Sequence, residues 1–86
     1  MKAIRDRVIE IATDVIEREF LAVCAEDRLD VHGGAVAQAR RLIRLSLDGL
    51  GDCRSFERMT DAVIRREVTP HLRAIVRDAL AGARPS

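Results

Sequence analysis

Four side chains in this 86-residue sequence are thiols or imidazoles that could bind a metal. They are Cys24, His32, Cys53 and His71. Zinc sites take their ligands in close pairs along the chain, and these residues form no such pair. Their spacing also places no nucleophile beside a base. We therefore expect no metal, no cofactor and no catalytic site, so that the protein is not an enzyme.

The turn His32-Gly33-Gly34 is a weak candidate for anion binding. Glycines directly before a helix leave backbone N–H groups free to bind an anion, and arginines farther along the helix raise the local potential. However, the strand and the additional glycines of a phosphate loop are missing. The alternative interpretation is a turn whose glycines adopt positive φ, with Asp30 as the helix cap. We favour this alternative.

Three arginines, Arg40, Arg41 and Arg44, form the one coherent basic patch of the sequence. In a helix they share the face opposite the apolar residues, and no acid occurs between positions 31 and 47. Arginines beyond residue 60 extend the patch if their helices expose them on the same side of the molecule as Arg40, Arg41 and Arg44. The patch could bind phosphates or an acidic protein face, including the acidic first helix of a second copy. It could also be a solvated face without a partner.

The charge of the chain is segregated. Residues 1–30 hold five bases and eight acids, whereas residues 31–86 hold ten arginines and six acids. Such an asymmetry indicates a binding partner. The net charge of only +1 gives little attraction to nucleic acid. We therefore favour a protein partner with an oppositely charged face.

Two leucines, Leu21 and Leu45, project away from the apolar faces of their helices. For Leu45 the sequence offers a local explanation, because a left-handed Gly49 would let Leu50 fold back onto it in a Schellman cap. Leu21 has no such explanation. It is therefore the best single candidate for a subunit or partner contact, with Leu45 as the second.

Apolar residues recur three and four positions apart in most of the chain, which is the pattern of amphipathic helices. The fold class that follows is all-α without strands, a compact four-helix array. Its helices are expected at about 2–26, 34–48, 55–67 and 70–81.

The break between the last two predicted helices depends on Thr69-Pro70, read as an N-cap followed by proline in the first helical position. The apolar stripe supports the break, because on one continuous helix it rotates by more than about 100°. Asp52 or Ser55 would cap the third predicted helix. Leu42 and Ile75 are expected among the inward-facing residues.

Length limits the chain to one domain, expected at 1–82, with a disordered tail at 83–86. No apolar run is long enough to span a membrane and no secretory signal is present, so we expect a cytoplasmic protein whose two cysteines remain thiols.

The predicted function is a small protein-binding module without catalytic activity, such as an adaptor, inhibitor or accessory subunit. It is expected to form a homodimer or to bind a larger protein, because a core of this size is thin. The alternative is a DNA-binding regulator of the phage or plasmid type. A helix-turn-helix fits poorly, since the connection after residue 48 is too long and the next helix exposes acids.

Overall fold

The computed structural model describes residues 3–49, 51 and 53–82. This part of the chain is all-helical, as expected, and contains no strand. Its elements are α1 (Ile4–Asp27), α2 (Gly34–Asp48), a 3-10 turn (Arg54–Phe56) and α3 (Asp61–Ala81). The predicted four-helix array is wrong, because the described chain has three α-helices. The first two helices lie within two residues of their expected bounds.

The helices expected at 55–67 and 70–81 are wrong, because one helix, α3, spans Asp61–Ala81 and residues Arg54–Phe56 form a separate 3-10 turn. Thr60 is its N-cap, since its hydroxyl oxygen accepts a hydrogen bond from the N–H of Val63 at 3.3 Å. The helix then continues through Pro70. Thr69, expected to be an N-cap, donates its hydroxyl to the carbonyl of Arg65 at 2.6 Å, as a threonine inside a helix does.

The rotation of the apolar stripe along α3 has a different cause from the predicted break. Helix α3 packs against both α1 and α2, and a helix with two neighbours buries residues on more than one side. Its buried side chains are Ile64, Leu72, Val76 and Leu80. Tertiary packing therefore keeps the helix continuous, although an interior proline removes a backbone hydrogen bond.

Ion pairs between α1 and α3 show the relative direction of these helices. Partners are 51 or 54 positions apart in every pair, so both numbers rise together and the two helices run parallel. The pairs are Arg7–Asp61, Asp14–Arg65, Glu19–Arg73 and Glu26–Arg77.

Helix α2 runs antiparallel to α1. Near its C-terminal end, the carbonyl of Asp48 accepts a hydrogen bond from Nη2 of Arg5 at 2.9 Å, whereas Arg40, earlier in α2, pairs with Glu17. The described chain is thus an up-down-up bundle of three helices. The carbonyl of Asp48 is one that the end of the helix leaves without a helical donor, so Arg5 also satisfies it.

Buried side chains from all three helices form one core cluster. Phe20 and Val23 of α1 meet Ile64, Val76 and Leu80 of α3 at its centre, where all five are fully buried. Two residues expected inside are exposed instead. Leu42 of α2 is 56% exposed and Ile75 of α3 is 43% exposed.

The end of α2 also differs from expectation. Gly49 has a φ of −86° and is not left-handed, so the predicted Schellman cap is wrong; its N–H bonds to the carbonyls of Leu45 and Leu47. Leu50, expected to cover Leu45, and Asp52, considered as a cap, lie outside the described residues, as does the tail at 83–86. The domain extent of 1–82 stays a prediction. Throughout the described residues, no helix combines the length and hydropathy that crossing a bilayer requires.

Candidate functional site

The loop between α1 and α2 reverses the chain without a left-handed glycine. Arg28 takes the left-handed conformation instead, with a φ of 55°, and its N–H bonds to the carbonyl of Cys24. Asp30 then closes a tight turn, because its carboxylate accepts the N–H of His32 at 3.0 Å and its carbonyl accepts that of Gly33 at 2.9 Å. The interpretation in which the glycines adopt positive φ and Asp30 caps the next helix is therefore wrong.

The first turn of α2 has no side-chain cap. Gly33 is the N-cap residue, with a φ of −66°, and the first turn contains no acidic residue. A Cβ atom on Gly34 would meet nothing within 4 Å, so this end of the helix is open. The N–H groups at a helix start have no acceptor within the helix and carry a partial positive charge.

One cleft of about 320 Å³ begins beside this helix end. It is lined by Val31, His32, Ala37, Arg40, Arg41 and Arg44. The structure thus joins two features that the sequence treated separately, the turn at His32 and the arginine patch. We call this feature the arginine cleft.

Arg40 is the most constrained of the three arginines. Its guanidinium carbon lies over the ring of Phe20, 5.2 Å from the centroid, and only 29% of its side chain is exposed. Its Nη2 is 3.6 Å from Oε2 of Glu17, which is longer than a hydrogen bond. Its Nε is buried and has no hydrogen-bond partner in the described structure. The buried Nε is out of reach of a ligand, so a ligand in the cleft would bind the Nη groups of this constrained guanidinium.

The other two arginines are also weakly neutralised. Nη2 of Arg44 is 4.0 Å from Oε1 of Glu17, so this single carboxylate faces both Arg40 and Arg44. Arg41 is exposed, and within the described part of the chain it makes no ion pair. The arginine cleft therefore keeps an excess of positive charge.

The arginines of α3 do not extend the patch, because carboxylates of α1 bind them. Nη1 of Arg65 donates to Oδ2 of Asp14 at 2.6 Å, whereas Arg73 and Arg77 pair with other acids of α1. The hydrogen bond from Arg65 holds the pKa of Asp14 below its usual value, and the nearby charge of Arg18 adds to this effect. Much of the charge segregation in the sequence is thus satisfied inside the bundle.

A second surface lies where α2 meets α3. Leu42 is 56% exposed and borders a groove of about 310 Å³ between the two helices. The other residues that line the groove are Ala35, Gln38, Ala39, Ala79 and Gly82. Leu45, 66% exposed, follows Leu42 by three positions in α2, and Ile75, 43% exposed, precedes Ala79 by four in α3. Helical spacing places them beside the groove. We call the groove with Leu42, Leu45 and Ile75 the apolar α2–α3 surface.

The two predicted interface leucines are therefore in different places. Leu45 belongs to the apolar α2–α3 surface. Leu21 lies on α1, 55% exposed, with the charged residues Glu17 and Arg18 one turn before it on the same side. It is a single exposed leucine in charged surroundings, which is common on protein surfaces.

The cysteines and histidines do not form a group. Within residues 3–49, 51 and 53–82, no cluster of three or more potential ligands could hold a metal ion. Cys24 and Cys53 are free and buried in the core, and burial raises the pKa of the Cys24 thiol. His32 lines the arginine cleft, whereas His71 is an exposed residue of α3.

Sequence reasoning missed Phe20, on which Arg40 stacks, and Glu17, whose carboxylate faces Arg40. A signal for them exists in the spacing. Glu17 and Phe20 are three positions apart on α1, and Arg40 and Arg44 are four apart on α2, so each pair shares a helix face. Only the antiparallel direction of the two helices brings these faces together.

Comparisons of the chain with protein-family models, with curated proteins and with solved structures find no match.

Proposed function

We propose that this protein is a small protein-binding module that forms a homodimer through the apolar α2–α3 surface. The observation that carries the proposal is the exposure of Leu42 and Leu45, which lie next to a groove lined mainly by small residues. Exposed apolar side chains beside a groove lined mainly by small residues are typical of a binding face.

The same surface supplies both halves of a symmetric contact. In a twofold dimer each copy uses the same residues, so a projecting side chain must find a complementary recess on the same patch of its partner. Leu42 and Leu45 provide projections, and Ala35, Ala39 and Ala79 leave a recess. Complete burial of one leucine contributes about 1.5–3 kcal/mol. Four leucines, two from each copy, would therefore contribute substantially to association.

The proposed dimer differs from the contact that charge segregation indicated. In that interpretation, the acidic side of the first helix would bind the arginines of a second copy. Within the bundle, Asp14, Glu19 and Glu26 bind arginines of α3, and Glu17 faces α2. Few of these carboxylates remain available to a partner, so we assign the driving force to apolar contact.

The proposal includes no catalytic step and places the protein in the cytoplasm. Two buried free thiols, Cys24 and Cys53, suit a reducing compartment. The connection between α2 and α3 and the pairing of the α3 arginines argue against the DNA-binding alternative. Residues 49–60 separate α2 from α3, which is far longer than the turn of a helix-turn-helix, and Arg65, Arg73 and Arg77 are paired with α1.

Light scattering coupled to size exclusion, over a dilution series, tests the proposal. We expect the wild type to approach twice the monomer mass of 9.6 kDa as its concentration rises. Leu45→Asp should remain a monomer, because a charged side chain in an apolar contact loses its hydration. Leu21→Asp is the matched control, since it makes the same change at a comparably exposed leucine, and should dimerise like the wild type.

Circular dichroism should show the same helix content for all three proteins, because both leucines are exposed. Two results would refute the proposal. One is a wild type that stays monomeric at every concentration, and the other is a Leu21→Asp variant that disrupts the dimer as strongly as Leu45→Asp does.

A further inference from the structure

We propose that the arginine cleft binds a small molecule that carries a phosphomonoester group. The inference does not rest on the proposed dimer, because the residues that line the cleft differ from those that line the α2–α3 groove. Arg40 and Arg44 face α1, whereas Leu42 lines the groove toward α3. Arg41 and Leu45, four positions apart in α2, are neighbours between the two sites.

Charge is the first reason to infer an anionic ligand. Arg40, Arg41, Arg44 and His32 line the cleft, and Glu17 is the one carboxylate with an ion pair to these arginines in the described chain. The carboxylate of Asp30 binds the backbone N–H of His32, so three arginines face two carboxylates here. Its contacts of 3.6 and 4.0 Å are too long for hydrogen bonds. By contrast, the pair between Arg65 and Asp14 closes to 2.6 Å. The cleft thus has donors and positive charge that the protein itself leaves unused.

The position of Arg40 is the second reason. Its stacking on Phe20 restricts the guanidinium before any ligand arrives, which lowers the entropy lost on binding. Phosphate oxygens accept two parallel hydrogen bonds from a guanidinium, so a fixed arginine suits a phosphate better than a mobile one does. The buried Nε of Arg40 without a partner shows that Glu17 does not satisfy this side chain.

The size of the cleft and the nature of its walls indicate an organic phosphate. About 320 Å³ lies at the lower end of the range for small-molecule sites, about 300–1,000 Å³, and exceeds the volume of a phosphate ion. Val31 and Ala37 add apolar wall beside the charged groups. The phosphate would take the arginine side of the cleft, and its substituent would pack on the apolar part. The uncapped first turn of α2 adds a favourable dipole nearby.

The experiment is a titration of the full chain, followed by calorimetry and by amide NMR shifts, with three probes. Phenyl phosphate tests the whole proposal, inorganic phosphate tests the anion alone, and benzoate tests an aromatic monoanion. We expect affinity to fall in that order. The largest shifts should occur at residues 31–44.

Two pairs of variants distinguish specific binding in the cleft from nonspecific attraction of the anion to any positive charge on the protein. Arg41→Gln should weaken phenyl phosphate at least about tenfold, because a charge-assisted hydrogen bond contributes roughly 1.5–3 kcal/mol. Arg66→Gln, at an exposed arginine of α3, loses the same charge outside the cleft and should leave the affinity nearly unchanged. Glu17→Gln should strengthen binding by freeing Arg40 and Arg44, whereas Glu67→Gln should not.

Arg41 and Arg66 are both exposed and neither makes an ion pair in the described structure, so neither change threatens the fold. The proposal is overturned if no probe binds, if benzoate binds as tightly as phenyl phosphate, or if the two arginine variants weaken binding equally. Tighter binding of inorganic phosphate than of phenyl phosphate would also overturn it, since the organic part would then contribute nothing.

Discussion

The interface between α1 and α3 and the outer side of α2 differ in how completely their groups are satisfied. Between α1 and α3, fully buried apolar residues meet, and two of the four ion pairs close to 2.6 Å. On α2, the contacts of Arg40 and Arg44 with Glu17 stay at 3.6 Å or more, and two leucines are exposed. Both regions contain arginines and aliphatic side chains, so composition does not separate them.

The difference indicates that the two regions have different roles. Groups that are buried and paired stabilise the fold, whereas groups that remain exposed and unpaired are available to other molecules. We therefore assign stability mainly to the contact between α1 and α3, and we propose that binding takes place on α2. Three substitutions test this division, in order of decreasing effect.

The largest effect is expected at Ile64, which is fully buried on α3. Ile64→Ala should lower the free energy of unfolding by about 2–5 kcal/mol, because it leaves a cavity in the core. Leu42→Ala is the matched control on α2 and should change the value by less than about 0.5 kcal/mol in the monomer. Urea denaturation of dilute protein measures both. Equal losses would remove the distinction between the two regions.

A smaller effect of opposite sign is expected at Pro70. Pro70→Ala should raise the free energy of unfolding by about 1–3 kcal/mol, because alanine restores the missing N–H and relieves the clash of the proline ring inside α3. Part of the gain is lost to the greater freedom of the unfolded chain. Denaturant titration with circular dichroism measures it. A destabilised variant would indicate that Pro70 begins a separate helix.

The smallest effect concerns Asp14, whose pKa is held down by Arg65. Its folded pKa is below its unfolded one, so its contribution to stability is fully present above about pH 4 and is lost as the pH falls through the folded pKa. Stability curves against pH should therefore show wild type and Asp14→Asn converging in acid. Asp78→Asn, at an exposed acid of α3, should change stability little at any pH. A constant difference between wild type and Asp14→Asn would contradict this role.

Local sequence patterns were enough to predict where the first two helices begin and end. The apolar period of α1 and the glycines on either side of α2 gave their bounds closely, since both signals act within one or two turns. The same local rules failed at Thr69-Pro70. There the N-cap pattern competed with packing on α1 and α2, and packing decided the outcome. Leu42 and Ile75 were predicted to face inward for a related reason. The apolar stripe of a helix shows which side is apolar, but it does not show how much of that side the neighbouring helix covers.

The candidate sites were partly visible in the sequence. The residues of the arginine patch and the turn at His32 were identified, but their common cleft depends on the loop conformation that the left-handed Arg28 creates. The charge segregation was also real, yet its meaning required the parallel arrangement of α1 and α3. Acids at 14, 19 and 26 meet arginines at 65, 73 and 77 only when the two helices run in the same direction.

The assignment of the dimer contact to α2 is tested most directly by amide NMR spectra recorded over a series of protein concentrations. We expect the concentration-dependent shifts to concentrate in α2, around Leu42 and Leu45, and in residues 75–82 of α3. The outer side of α1 around Leu21 should not change. Shifts centred on Leu21, or spectra that stay identical at all concentrations, would contradict this assignment.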